Sequence, residues 1–232
     1  MKRAIVIIGG FSTSPGHYNK MAEQLRIRSG LPVNIVPIGM SEWSVVVRQS
    51  GWRRLLGKLE QTISATISET ECDKIIIVAH SLGGIVTRLY LTGNASIGFA
   101  PRYSDRIESV ITLGSPHKRG LVHRLSVWKG LDDCLERDHL SVPLLSVVGK
   151  VDYSSRGRSL KRLAHLRYRL HGGDPGEFGD GIIPIDSAIY DADRSLILDD
   201  VSHDFRIGRP WYGDPQIVDM WWKSAKENPS SS

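Results

Sequence analysis

The residues best suited to chemistry in this chain cluster around one serine. Ala79-His80-Ser81-Leu82-Gly83-Gly84 follows the unbroken apolar run Ile75-Ile76-Ile77-Val78, and a helix-like segment, Ile85 to Leu91, comes directly behind it. This is the layout of a nucleophile elbow, in which a sharp strand-to-helix turn lifts a serine Oγ clear of the sheet's end. Small residues two before and two after the serine, here Ala79 and Gly83, let strand and helix pack closely. Backbone N–H groups at the start of the new helix then point at whatever the serine attacks. The pattern departs from G-x-S-x-G only in Ala79. A plainer reading also fits the stretch: Ser81 as a helix N-cap, with the glycines serving a turn.

A serine nucleophile needs a general base, and the base needs an acid to fix its tautomer. On sheets with such an elbow these follow in the order serine, acid, histidine, each after a strand. Of the eight histidines, His203 is the last in the chain and stands just beyond the strand-like Ser195 to Leu198. Two acids follow the penultimate strand. Asp180, in Gly179-Asp180-Gly181-Ile182-Ile183-Pro184, is favoured because the apolar Ile182-Ile183-Pro184 would anchor it where the sheet resumes. Asp152, directly after the strand, is the alternative. The N–H groups of Leu82, behind the serine, and of Phe11, behind Gly9-Gly10, are the candidate oxyanion hole. Acyl transfer of this kind requires no metal or organic cofactor, and no ligand cluster in the sequence suggests one.

These groups must be held by a sheet. Ala4–Ile8, Pro32–Ile38, the apolar run before the elbow, Arg106–Leu113, Pro143–Val148 and Ser195–Leu198 read as short buried strands. Helical spacing between them covers Tyr18 to Leu25, then Trp52, Leu55, Leu59, Ile63 and Ile67, and finally Gln216–Trp222. Gly39 to Gly51 reads as a loop. Alternating strands and helices predict an α/β fold: one domain over 1–226 with a mostly parallel sheet of about six strands, helices on both faces, and a polar tail at 227–232. Segments 40–52, 118–141 and 152–178 are insertion or cap candidates.

At 232 residues, 41% hydrophobic and 24% charged, the chain suits one well-buried core. No apolar run approaches the roughly 20 residues of a membrane span. The opening Met1-Lys2-Arg3 and Ala4–Ile8 read as the first strand and not as a signal peptide. Cys72 and Cys134 form no disulfide framework, so a reduced, cytoplasmic protein is expected.

The same residues resemble the α/β-hydrolase superfamily, in its lipase and esterase branch with Ala-His-Ser-x-Gly elbows. They are more closely similar to small PGAP1-like hydrolases of cyanobacteria, other bacteria and plastids. Ile7-Ile8-Gly9-Gly10-Phe11, Ser41-Glu42-Trp43, the elbow, Ile111-Thr112-Leu113-Gly114-Ser115-Pro116-His117, the Gly179–Pro184 stretch, Val201-Ser202-His203 and Trp211-Tyr212-Gly213 carry the likeness. It implies an α/β-hydrolase fold, a catalytic Ser81, Asp180 and His203, and an oxyanion hole of Phe11 and Leu82. It leaves the substrate open. Gly9 stands where many relatives have His or Pro, and the basic insertion after Asp152 has no evident counterpart. His117 is expected to hold its loop near the site without moving protons.

The expected activity is hydrolysis of carboxylic esters with lipid or other hydrophobic acyl groups. An acyltransferase or thioesterase with the same residues, or a non-enzymatic binding protein on the same fold, is the alternative. Trp43, Leu125 and Trp128 are candidate acyl-pocket residues, though such stripes also serve as core. The net charge of +5 concentrates in one run, Arg156 to Arg169, interleaved with Leu160, Leu163 and Leu166. A solvated helix over the core explains it, and so does a basic amphipathic helix touching an anionic membrane. Nucleic acid is not expected, because no recognition motif accompanies the charge.

Overall fold

The computed structural model describes residues 1–43, 49–93, 98–118, 140–153, 158–171, 173, 178–191 and 194–227. Six strands, β1 (Arg3–Ile8), β2 (Val33–Ile35), β3 (Lys74–His80), β4 (Ile107–Leu113), β5 (Leu144–Lys150) and β6 (Ser195–Asp199), form one sheet. Their order is β2-β1-β3-β4-β5-β6 and every adjacent pair is parallel. The expected single sheet is therefore present, all-parallel. β2 is shorter than the expected Pro32–Ile38; Pro32, at its start, brings no N–H to the ladder with β1.

A parallel sheet must be covered on both faces, and the two-residue alternation of β1 shows how this is done. Ala4, Val6 and Ile8 point into a core with Leu55, Leu59 and Ile63 of α3 (Gln49–Thr70) and Ile85, Val86 and Leu89 of α4 (Leu82–Thr92). Ile5 and Ile7 point the other way, onto Met21 and Leu25 of α1 (Asn19–Ser29) and Ile217 and Trp221 of α7 (Pro215–Glu227). Between these lie the short α2 (Met40–Trp43) and α6 (Ile185–Ala188), and α5 (Arg158–Leu170).

The stretch Gly39 to Gly51 is not the expected loop throughout. Met40–Trp43 is helical, and α3 begins at Gln49 with Gly51 inside it. Burial of Trp52, Leu55 and Leu56 outweighs the roughly 1 kcal/mol helix cost of that glycine. Residues 44–48, 119–139 and 228–232, which include most of the 118–141 cap candidate, lie outside the described residues.

Strand order reverses beside β1: the chain first steps outward to β2, then crosses back to β3 on the other side of β1. At such a switch point the carboxyl ends of the two strands leave a crevice. Gly9–Thr13 follows β1 there, and Ser81 follows β3.

Candidate active site

Ser81 sits between β3 and α4 at φ 53°, a backbone region that non-glycine residues seldom adopt. Its N–H donates to the Leu113 carbonyl of β4 at 2.9 Å, which pins the turn to the neighbouring strand. The strain at this serine is a positive indication of an elbow, since strained backbone collects where side chains must be aimed. Gly83 is required by the close approach. A Cβ there would lie 2.6 Å from the Gly9 carbonyl and 2.7 Å from that of Ile8, both fixed backbone atoms. Gly10 is held as tightly, since a Cβ would stand 2.6 Å from Ser81 Cβ. The β1 loop therefore passes directly over the serine.

His203 reaches Ser81 from the loop after β6. Its Nε2 lies 3.0 Å from Ser81 Oγ and its Nδ1 lies 2.7 Å from Asp180 Oδ2. A carboxylate only accepts, so Nδ1 carries the proton; in the neutral ring Nε2 is then bare and accepts from the serine hydroxyl. The His203 backbone N–H also donates to the Asp180 carbonyl at 2.9 Å. Ser81, His203 and Asp180 thus form one hydrogen-bonded row, with Asp180 fully buried and Ser81 half-buried.

Asp180 arrives there by a local route. Beyond β5, the Val151 N–H donates to the Gly179 carbonyl at 2.8 Å, so the excursion after Asp152 closes back on the strand it left. Asp180 consequently occupies a strand-end position 28 residues after Asp152 in sequence but beside it in topology. Asp152 itself is exposed. Four donors converge on the Asp180 carboxylate: His203 Nδ1 and the Tyr212 hydroxyl (2.8 Å) on Oδ2, and the N–H groups of Ile182 (3.1 Å) and Ile183 (2.8 Å) on Oδ1. Burial pushes its pKa up. The His203 charge and these hydrogen bonds outweigh that and hold it below the usual carboxylate range.

Tyr212 and Tyr18 complete the site and were given no role by sequence reasoning. Tyr212 donates to Asp180 while accepting from the Gly149 N–H at 2.7 Å, which ties the acid to the end of β5. Burial and the nearby Asp180 charge raise its pKa well above 10, so it remains a donor. The only sequence signal for it was the Trp211-Tyr212-Gly213 motif.

Tyr18 acts on the opposite side, through His80. Burial and the His203 charge push His80 well below an ordinary histidine pKa, so the ring is neutral. Its Nε2 lies 2.9 Å from the His203 carbonyl, which can only accept, so the proton is on Nε2. Nδ1 is then bare and accepts from the Tyr18 hydroxyl at 2.9 Å, a hydroxyl that also lies 3.1 Å from Thr13 Oγ1 and accepts from the Gly10 N–H at 2.9 Å. One chain of hydrogen bonds thereby links the backbone of His203 to the loop that carries Phe11. Tyr18→Phe removes the Gly10 acceptor inside a buried site and should cost about 1–3 kcal/mol of stability. Thermal melts will read that cost, and a drop in kcat at unchanged KM will show that the loop no longer meets the serine correctly. An unchanged melting temperature would contradict this network.

Phe11 follows Gly10 in the loop after β1, and Leu82 opens α4 directly behind Ser81. Trp43 is 1% exposed and packs among Ile8, Val36, Ile38 and Trp52, so it is a core residue and not the wall of an open acyl pocket. Leu125 and Trp128 lie outside the described residues.

His117 is buried beyond β4, its Nε2 3.2 Å from Thr112 Oγ1 and its N–H bonded to the Ser187 carbonyl. Burial, then the Arg88 charge, lowers its pKa to about 3. His80 and His117 stay neutral in the fold while the unfolded chain titrates them near 6.5. Between those values the unfolded state binds more protons, so stability falls as pH drops. Each contributes a slope of up to about 1.4 kcal/mol per pH unit. Urea midpoints measured from neutral pH down to pH ~4 will show the decline, and a flat profile would mean that both rings are charged when folded.

Comparison with known proteins bears on the fold. A PGAP1-like alpha/beta domain family model matches residues 54–139, which include the elbow. A Listeria innocua gene product (lin2722) superposes with a TM-score of 0.58 at 14% identity, covering 100% of this chain and 97% of its own. A Lactobacillus plantarum protein named as a cell surface hydrolase gives 0.55 at 13%, covering 98% and 96%. A Xanthomonas campestris protein named as a hydrolase of the alpha/beta superfamily gives 0.52 at 16%, covering 97% and 99%. No curated protein matches the chain in sequence.

Proposed function

On this α/β-hydrolase fold, we propose that the protein is a serine hydrolase that cleaves carboxylic esters through an acyl-enzyme on Ser81. The observation that carries the reading is the row Ser81 Oγ–His203 Nε2 and His203 Nδ1–Asp180 Oδ2, at 3.0 and 2.7 Å, over the crevice between β1 and β3. Ser81 Oγ attacks the ester carbonyl as His203 Nε2 takes its proton. The tetrahedral oxyanion is held by the N–H groups of Phe11 and Leu82, each such donor contributing about 2.7–4 kcal/mol. His203 then protonates the departing alkoxide, leaving the acyl group on Ser81. Water, deprotonated by His203, attacks the acyl carbonyl and releases the carboxylic acid, and the serine recovers its proton. Asp180 stays ionised throughout and stabilises the imidazolium.

A hydrophobic acyl group fits the rim. Phe11 after β1 and Phe205 after β6 are 54% and 37% exposed, and loops after parallel strands share one edge of the sheet. The protein's location on this reading is cytoplasmic. Among the described residues, no helix is long and apolar enough to cross a membrane. Turnover of p-nitrophenyl esters of rising acyl length tests the substrate class. A chain-length optimum beyond acetate is expected, and steadily declining rates with length would contradict a hydrophobic acyl site. Product analysis with added alcohol or thiol acceptors distinguishes hydrolysis from acyl transfer.

A further inference from the structure

α5 is poorly explained as a core helix. Among its described side chains, Ala164 and Tyr168 join a buried cluster, a small one with Val151 and Tyr153 apart from the two main cores. Leu160, Leu163 and Leu166 are 48%, 42% and 57% exposed. They recur every third residue, a ridge that runs from the edge of the buried face onto the outward one. Leucines at that exposure gain nothing from water. Lys161, Arg162, Arg167 and Arg169 share the helix with them, Arg158 opens it in sequence, and the helix holds no Asp or Glu. This one helix therefore carries as much charge as the whole chain's net +5.

The helix is also fixed to the candidate site. Tyr168 accepts from the Gly181 N–H at 3.0 Å, and Arg167 Nη1 donates to the Gly181 carbonyl at 3.3 Å, one residue from Asp180. It follows β5, so it stands on the same edge of the parallel sheet as Ser81, the exposed Phe11 and Phe205, and the 47% exposed Phe178.

We infer that the outward face of α5 docks the protein on an anionic lipid bilayer. Lysine and arginine attract the acidic headgroups, and the leucine ridge enters the headgroup–acyl boundary, where exposed aliphatic side chains are stabilised. The aliphatic ridge favours lipid over a polyanion, which would reward the charges and leave the leucines unused. The site opens on the same edge, so docking holds it against the surface. The binding is independent of the ester chemistry and is measured without it.

The test is co-sedimentation of the full chain with vesicles of phosphatidylcholine plus phosphatidylglycerol, against phosphatidylcholine alone. Wild type should bind the mixed vesicles, and release as salt is raised. Lys161→Glu, Arg162→Glu and Arg169→Glu together, all at exposed positions, should weaken partitioning roughly a hundred-fold. Leu160→Ser, Leu163→Ser and Leu166→Ser together should weaken it by about tenfold or more. Unchanged melting curves and far-UV circular dichroism will show that both variants fold. Three outcomes would overturn the inference. One is no binding of wild type to the mixed vesicles. A second is full binding by the leucine variant, which marks a polyanion-binding face. The third is a wild-type dimer in light scattering that the leucine variant dissolves, which assigns the face to a second copy of the chain.

Discussion

Ser81→Ala should lower kcat for an activated ester by about 10⁶-fold while the protein folds as before. The expectation of folding rests on the local contacts. The hydroxyl's partner is His203 Nε2, and alanine keeps the Cβ that already fits beside Gly10. The residual rate would come from the oxyanion donors and substrate binding acting on water alone, which leaves about 10³–10⁴-fold over the uncatalysed reaction. Parallel thermal melts separate loss of chemistry from loss of fold. Turnover of this variant comparable to wild type would remove Ser81 from the mechanism.

Asp180→Asn should cost about 10⁴-fold in kcat, and the hydrogen-bond inventory says why. Two of the four donors at Asp180 are the backbone N–H groups of Ile182 and Ile183, which cannot turn round. They retain the carbonyl oxygen of an asparagine, so its NH₂ must face His203 and Tyr212. The Tyr212 hydroxyl can rotate and accept. His203 can accept only by moving its proton from Nδ1 to Nε2, and a protonated Nε2 no longer serves as base for Ser81. The variant is therefore expected to be folded, to bind substrate with little change in KM, and to be slow. Asp152→Asn, at an exposed position, should leave turnover unchanged. Equal losses in the two variants, or a loss only at position 152, would reassign the acid.

The contrast between these aspartates shows what the sequence could carry. Both follow β5, and the sequence placed Asp180 ahead because Ile182-Ile183-Pro184 looked buried; Ile183 is indeed 1% exposed and its N–H holds the carboxylate. The return of the chain to β5 at Val151–Gly179 is a long-range pairing with no local pattern, so nothing in composition announced it. The elbow was legible because its constraints are local: an apolar strand, small flanking residues and a following helix. Tyr18 and Tyr212 were not, since a buried tyrosine in a core pattern reads as packing until its hydroxyl is seen to meet Gly10 or Asp180. Trp43 shows the converse. An aromatic beside an insertion could face substrate or core, and only its burial in the larger core decides between them. α5 was foreseen as an amphipathic pattern; what the sequence lacked was how little of it the protein covers.

An activated serine at the switch between β1 and β3 is open to covalent labelling. Wild-type protein would be treated with a fluorophosphonate and its peptides mapped by mass spectrometry. A single adduct on Ser81 is predicted, formed slowly in Asp180→Asn and not at all in Ser81→Ala. No adduct in folded wild type, or an adduct on another residue, would contradict the account.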